Sequence, residues 1–299
     1  MVVFSGLGIT KIANLGLFTK QLEIVLFRYY NSNGFFSKSS KLVSSFFRPM
    51  LRVLFMFFIW LLVGLHCIVF FTLLIIPAWL VTVLFDKNLK VLHRLSSWWA
   101  LTYIYGNPFW RVTITGQENI KKGQVYVIVG NHQSALDIPL LYRLPIQFRW
   151  VAKAELYRVP FVGWNLVLNR HVLVARGNAT SARHMVDKCI DSLTNGVSVA
   201  IFPEGTRSRT GRISRFKDGA FVIARDANVP ILPVMIDGTA DAMPRDGFTV
   251  KARQHFTIRI LPPVAQETLA HKTHGEIAAM FQQEFTTLHA EMRPDLYSR

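Results

Sequence analysis

The rhythm of apolar and polar positions changes twice along this chain. From Val53 to Phe85, 33 residues pass without Asp, Glu, Lys or Arg, which predicts a membrane-embedded helical segment over residues 51–86. As continuous helix the run would be roughly 50 Å long, longer than a hydrocarbon core of about 30 Å. One long tilted helix, or a two-helix hairpin broken near Gly64 or Pro77, would absorb the excess. Basic residues lie on both sides, with Lys38, Lys41, Arg48 and Arg52 before the run and Lys87, Lys90 and Arg94 after it. That symmetry favours the hairpin, which leaves both flanks in the cytoplasm. The run is too long and too far from Met1 for a cleaved signal peptide, so it is expected to persist in the mature protein.

From Arg111 the pattern becomes short β-rich runs alternating with helical ones. Arg111 to Thr115, Gln124 to Gly130, Phe148 to Ala152, His171 to Ala175, Val197 to Phe202, Ile231 to Ile236 and Phe256 to Leu261 read as strands. Between them, Ala182, Met185, Cys189, Ile190 and Leu193 fall at helical spacing. Such alternation predicts an α/β fold with a mostly parallel central sheet flanked by helices, preceded by the membrane-embedded segment. The expected organisation is a basic interfacial segment over 1–50, the apolar segment over 51–86 and an aromatic-rich interfacial connection over 87–110. An α/β domain over 111–262 and a C-terminal packing helix within 263–299 complete it. The connection carries Trp98, Trp99, Tyr103, Tyr105 and Trp110, a headgroup-level composition that core aromatics would equally produce.

Composition narrows the classes. With 51% apolar and 17% charged residues over 299 positions, disordered and fibrous chains are excluded. Two cysteines, Cys67 and Cys189, make no disulfide framework. The formal net charge of +16 points to polyanionic partners, from phospholipid headgroups to an acidic carrier protein or nucleic acid.

In an open α/β sheet, ligands bind beyond the carboxyl ends of the strands, and four polar clusters follow predicted strands. They are Asn131-His132-x4-Asp137, Lys153-Ala-Glu155, Arg176, and Pro203-Glu204-Gly205-Thr206-Arg207-Ser208. If these strands are parallel, all four clusters share one edge. His132 and Asp137 would lie about 140° apart on one helix, so they meet only across a helix start, with Ser134 as N-cap. There the carboxylate would orient the imidazole as a base toward a hydroxyl. Ser134-x-x-Asp137 is equally a capping-box pattern. Glu204 to Arg207 combine a permissive glycine, a hydroxyl and an arginine fork suited to phosphate, although a solvated basic loop would read the same way. Cys189 sits on an apolar helical stripe and reads as core. His271 and His274 lack neighbouring ligands, so no metal site is expected.

These clusters, with Lys153-x-Glu155-Leu156-x3-Pro160-x2-Gly163 and Val229-Pro230-Ile231-Leu232-Pro233-Val234, resemble the four ordered blocks of the glycerolipid acyltransferase family that includes the 1-acylglycerol-3-phosphate acyltransferases. The resemblance covers roughly residues 125 to 235. It implies His132 as general base, Asp137 as its partner, and Glu204, Gly205, Thr206 and Arg207 as contacts to the acceptor's phosphate or glycerol. Lys153 and Arg176 would belong to the acceptor site, and Val229 to Val234 would line the cleft. The second block departs from the family pattern at Arg170 and Ala175, where a glycine and an aspartate are usual, which bears on the acceptor. The implied reaction is direct acyl transfer to lysophosphatidic acid, giving phosphatidic acid. The donor would be acyl-CoA or acyl-ACP (acyl carrier protein) as co-substrate, with no cofactor. The expected partners are membrane phospholipids and these substrates, not nucleic acid. The expected location is a membrane, the inner or plasma membrane in a bacterium, with the catalytic domain on the cytoplasmic side. The competing readings are an acyltransferase for another acceptor, whether glycerol-3-phosphate, another lysophospholipid or a lyso-aminolipid, and a membrane-anchored, non-catalytic anion-binding module.

Overall fold

A computed structural model describes residues 39–175, 177–246 and 250–298. Most of the expected interfacial segment over 1–50, and Arg176, lie outside them. The chain divides into two compact units, Met1–Ile68 and Val69–Arg299.

The apolar run is helical throughout. An α-helix Ser39–Phe70 passes through a π-helical turn, Phe71–Ile75, into a second α-helical stretch, Ile76–Phe85. Of the two sequence alternatives the structure adopts the continuous helix; neither Gly64 nor Pro77 breaks it. Proline lacks an N–H and normally disrupts a helix interior. Here Ile76 N–H bonds to Phe71 O, five residues back, so the register is already shifted when Pro77 enters at the start of Ile76–Phe85. The stretch Phe57–Phe85 is long and apolar enough to cross a membrane, with a mean hydropathy of 2.7.

All seven predicted strands form: β1 (Trp110–Thr115), β2 (Val127–Gly130), β3 (Phe148–Lys153), β4 (Val172–Val174), β5 (Ser198–Ile201), β6 (Ile231–Asp237) and β7 (Gln254–Ile260). Their order in the sheet is β1-β7-β6-β2-β5-β3-β4. β6, β2, β5, β3 and β4 run parallel, β7 is antiparallel to β6, and β1 is parallel to β7. β2 and β5 are buried at every position, as expected where helices cover both faces of a parallel sheet. Because successive side chains alternate faces, Tyr126 and Ile128 join Phe148, Trp150 and Phe256 on one side. Val127 and Val129 join Phe221, Phe281 and Phe285 on the other. Each such side chain, fully buried, contributes roughly 1.5–3 kcal/mol.

The second face is closed by helix His274–Met292, the packing helix read from the sequence. Its start is a capping box: Thr273 Oγ1 accepts from Glu276 N–H (3.2 Å) and the Glu276 carboxylate accepts from Thr273 N–H (2.7 Å). Caps of this kind are worth about 1 kcal/mol.

Candidate active site

The parallel arrangement of β2, β3, β4 and β5 puts the segments that follow them along one edge of the sheet. At the end of β2, Asn131 is fully buried and its amide completes the ladder beside β6. Nδ2 donates to Ile236 O and Oδ1 accepts from Ile236 N–H, both at 2.8 Å. The chain then turns out of the sheet at His132.

His132 Nδ1 lies 2.8 Å from Asp137 Oδ2. Asp137 is fully buried, and its Oδ2 also accepts the backbone N–H groups of Gln133 (2.7 Å) and Ser134 (2.8 Å). Its Oδ1 accepts the hydroxyl of Thr239 at 2.6 Å. An ionised carboxylate only accepts, so Nδ1 carries the proton and Nε2 keeps a free lone pair. The ring is 16% exposed, which leaves that lone pair reachable. The pair does meet across a helix start, but the helix opens at Asp137 itself. Leu136 rather than Ser134 stands at its N-cap; the Ser134 hydroxyl donates to Met243 O (2.7 Å) and accepts from Leu136 N–H (3.3 Å). His132 stacks on Phe202 at 4.1 Å and 6°, and Phe202 leans on Trp150 at 5.4 Å. This ladder fixes the imidazole plane, and Gly130 leaves room for it, since a Cβ there would lie 3.3 Å from the Phe202 ring.

The loop after β5 is tied to the same histidine. Glu204 is buried; Oε1 accepts from His132 N–H (2.8 Å) and Oε2 from Ser214 N–H (3.0 Å). Burial holds its carboxyl above the usual range, and the His132 and Ser214 amides offset only part of that rise. With both oxygens on backbone amides, Glu204 holds the His132 turn and residues 204–214 together. Ser208 N–H closes the same junction on His132 O at 2.8 Å. Gly205 takes a left-handed φ of 68°. A Cβ there would sit 3.0 Å from Lys217 Nζ, so the lysine's ammonium lies directly over this glycine. Thr206 is exposed and Arg207 half-buried. Arg207 O accepts from Arg245 (2.7 Å), while its guanidinium bonds to no other described residue. Lys153 ends β3, where the register Ile128–Ala200–Trp150 brings it level with the His132 turn two strands away. There it is exposed and paired with Glu155 at 3.3 Å.

A family model described as Acyltransferase matches residues 111–237. The mouse 1-acyl-sn-glycerol-3-phosphate acyltransferase alpha is 32% identical over 238 residues, which cover 76% of this chain and 79% of that protein. The chain belongs to this acyltransferase family. A 1-acyl-sn-glycerol-3-phosphate acyltransferase of Chlamydomonas reinhardtii is 33% identical over 71% of the chain. The chain spans 65% of that relative and 56% and 47% of two chloroplast relatives. Among solved structures, the 1-acyl-sn-glycerophosphate (LPA) acyltransferase PlsC from Thermotoga maritima superposes with a TM-score of 0.60 at 26% identity. That match covers 80% of this chain and 96% of the other.

Several residues of this family site escape sequence reasoning. Thr239 follows β6, and the polar residues after that strand were open to the strand-end logic applied to the others. His289, fully buried in the C-terminal helix, lies 2.9 Å from Gln133 Nε2, 3.1 Å from the Tyr297 hydroxyl and 3.4 Å from Asp237. Burial works to raise the Asp237 carboxyl, but His289 and Arg293 outweigh it and hold it below the usual range. The helix read as packing alone therefore also braces the turn that carries His132. No sequence signal announces this, because the residues are 156 positions apart. Cys189 is fully buried, and burial pushes its thiol up to about 12, so it is no thiolate nucleophile at neutral pH. Among the described residues no group of three His, Cys, Asp or Glu side chains is placed to hold a metal ion.

Proposed function

We propose that this protein transfers a fatty acyl group from an acyl thioester, acyl-CoA or acyl-ACP, to the free hydroxyl of lysophosphatidic acid, releasing phosphatidic acid and the free thiol. The observation that carries the reading is the His132–Asp137 pair, with Nδ1 held by a buried carboxylate at 2.8 Å and Nε2 left reachable. Nε2 takes the acceptor's hydroxyl proton as that oxygen bonds to the thioester carbonyl carbon. Asp137 stabilises the imidazolium so formed. The tetrahedral intermediate then expels the thiolate, which recovers the proton from His132, and no acyl-enzyme is needed. Arg207, with its fork free, is the bidentate partner for the acceptor's phosphate, and Lys153 and Lys217 supply further positive charge at the same edge. Arg176 joins the acceptor site by resemblance and lies outside the described residues. The activity for which these relatives are named supports the substrate class. The segment Phe57–Phe85 supports a membrane location, and the cytoplasmic side for the catalytic unit is part of the same proposal.

The test is acyl transfer to lysophosphatidic acid in detergent micelles with long-chain acyl-CoA or acyl-ACP. His132→Ala should lose activity by roughly 10²–10⁴-fold, and Arg207→Ala should raise the acceptor KM more than it lowers kcat. Undiminished activity in His132→Ala would refute the mechanism. A wild-type protein that acylates a different lysolipid would keep the mechanism and move the acceptor, with Arg170 the first residue to exchange.

A further inference from the structure

The segment between β3 and β4 is turned inside out for a protein surrounded by water. It comprises a 3₁₀ turn, Ala154–Arg158, and a helix, Val162–Leu168. The helix sends its one polar side chain inward. Asn165 is buried, with Oδ1 accepting from Ser96 Oγ and Asn169 Nδ2, both at 2.9 Å. Gly163 lets the helix settle on the preceding turn, where a Cβ would come within 2.4 Å of the carbonyl oxygens of Leu156 and Tyr157. The apolar residues face outward: Leu156, Tyr157, Val159, Val162, Trp164 and Val167 are 36–53% exposed within twelve residues. In a soluble surface helix the apolar stripe faces the core, and exposed patches of this kind mark interaction sites.

Two observations say what covers it. The patch is continuous with the long apolar helix, for Phe71 packs against Phe161 and Trp164, with ring centroids 5.7 Å apart in each case. Its rim is cationic. Arg158, Arg170, Lys87 and Lys90 are exposed, and the Arg170 guanidinium is tied to Lys87 O at 3.1 Å. The nearby Glu155 is already paired with Lys153, and Asp86 is engaged by Val91 N–H. An apolar centre with aromatic edges and basic flanks is the make-up of a segment lying in the headgroup region of an anionic leaflet.

We propose that Ala154–Leu168 is a second membrane contact, inserting its apolar side chains into an anionic leaflet beside the long helix. The inference rests on reading Phe57–Phe85 as membrane-embedded. β3 delivers the segment at the carboxyl edge of the sheet, the edge that carries His132, so this contact holds the catalytic edge at the lipid surface. A lysolipid could then present its headgroup hydroxyl while its acyl chain stays in the leaflet.

The experiment uses the full chain in phosphatidylcholine/phosphatidylglycerol vesicles, with an environment-sensitive fluorophore on a single introduced cysteine at one of three positions. Cys67 and Cys189 are buried and compete little. Val167→Cys reports the segment, Leu80→Cys the long helix and Glu267→Cys a water-facing surface. Lipids carrying a spin label near the headgroup should quench the probes at 80 and 167 and spare that at 267. Quenching at 80 without quenching at 167 overturns the second contact and keeps the membrane helix. Quenching at neither overturns both. Protection of position 167 that is insensitive to lipid and lost on dilution would assign the patch to a second copy of the chain, also overturning the proposal. In turnover, Trp164→Glu with Val167→Glu should raise the KM for a vesicle-borne acceptor and leave kcat on a short-chain, water-soluble acceptor unchanged. An unchanged KM in vesicles counts against the contact.

Discussion

Replacing Thr239 by valine tests whether the carboxylate behind His132 is held from both sides. Valine keeps the shape of the side chain and removes only the hydroxyl that donates to Asp137 Oδ1 at 2.6 Å. Thr239 and Asp137 are both fully buried, so water cannot replace the lost donor. A hydrogen bond to a charged group contributes about 1.5–3 kcal/mol, and stranding a buried acceptor has a cost of similar size. A loss of about 2 kcal/mol is expected, which lowers Tm by roughly 4–8 °C for a unit of this size. Catalysis should suffer less. Oδ2 keeps its bonds to His132, Gln133 and Ser134, so the loosened orientation should reduce kcat by about tenfold, equivalent to about 1.4 kcal/mol. Asp137→Asn, which also removes the charge and disturbs the tautomer, should lose about 10³–10⁴-fold. The assay pairs thermal melting in detergent with kcat and KM for lysophosphatidic acid, using Thr239→Ser as the variant that restores the hydroxyl. If Thr239→Val matches wild type in both Tm and kcat, or if serine fails to rescue, the hydroxyl does not hold the carboxylate and the argument fails.

Acid should destabilise the fold through His93, whose imidazole is buried and held down to about 4. Because its folded value lies below the unfolded value of about 6.5, protons bind the unfolded chain first and stability falls as pH drops from about 6.5 toward 4. The loss is about 2 kcal/mol at pH 5. His171, held well below its ordinary value by burial, adds to the same trend. Melting at pH 7 and pH 5 should therefore show a shallower decline for His93→Gln than for wild type, and parallel declines would exclude the assignment. At Gly205, an added methyl meets a left-handed φ of 68° and Lys217 Nζ at 3.0 Å. Gly205→Ala should cost about 1–2 kcal/mol in stability and, by displacing the lysine, raise the acceptor KM. An alanine variant with wild-type Tm and KM would show that neither the turn nor the lysine's position matters.

The strands, their parallel edge and the approach of His132 to Asp137 were legible in the sequence. So were the apolar run and the Glu204 to Arg207 loop. All of these are local: periods of two and 3.6 residues, turn residues at strand ends, and pairs a few positions apart write themselves into adjacent letters. Tertiary structure decided what depends on distant segments meeting. The reversal of β7 beside β6, the arrival of Thr239 and His289 behind the His132 turn, and the capture of both Glu204 oxygens by backbone amides join positions 10 to 156 residues apart. The choice of helix over hairpin at Pro77 turned on a shift of hydrogen-bond register that no residue type specifies. The outward-facing side chains of residues 156–167 are as apolar in letters as a core helix. Only the placement of Ser96, Asn165 and Asn169 on the inner side reveals which way that segment faces. Burial is a property of neighbours, and the sequence supplies neighbours only along the chain.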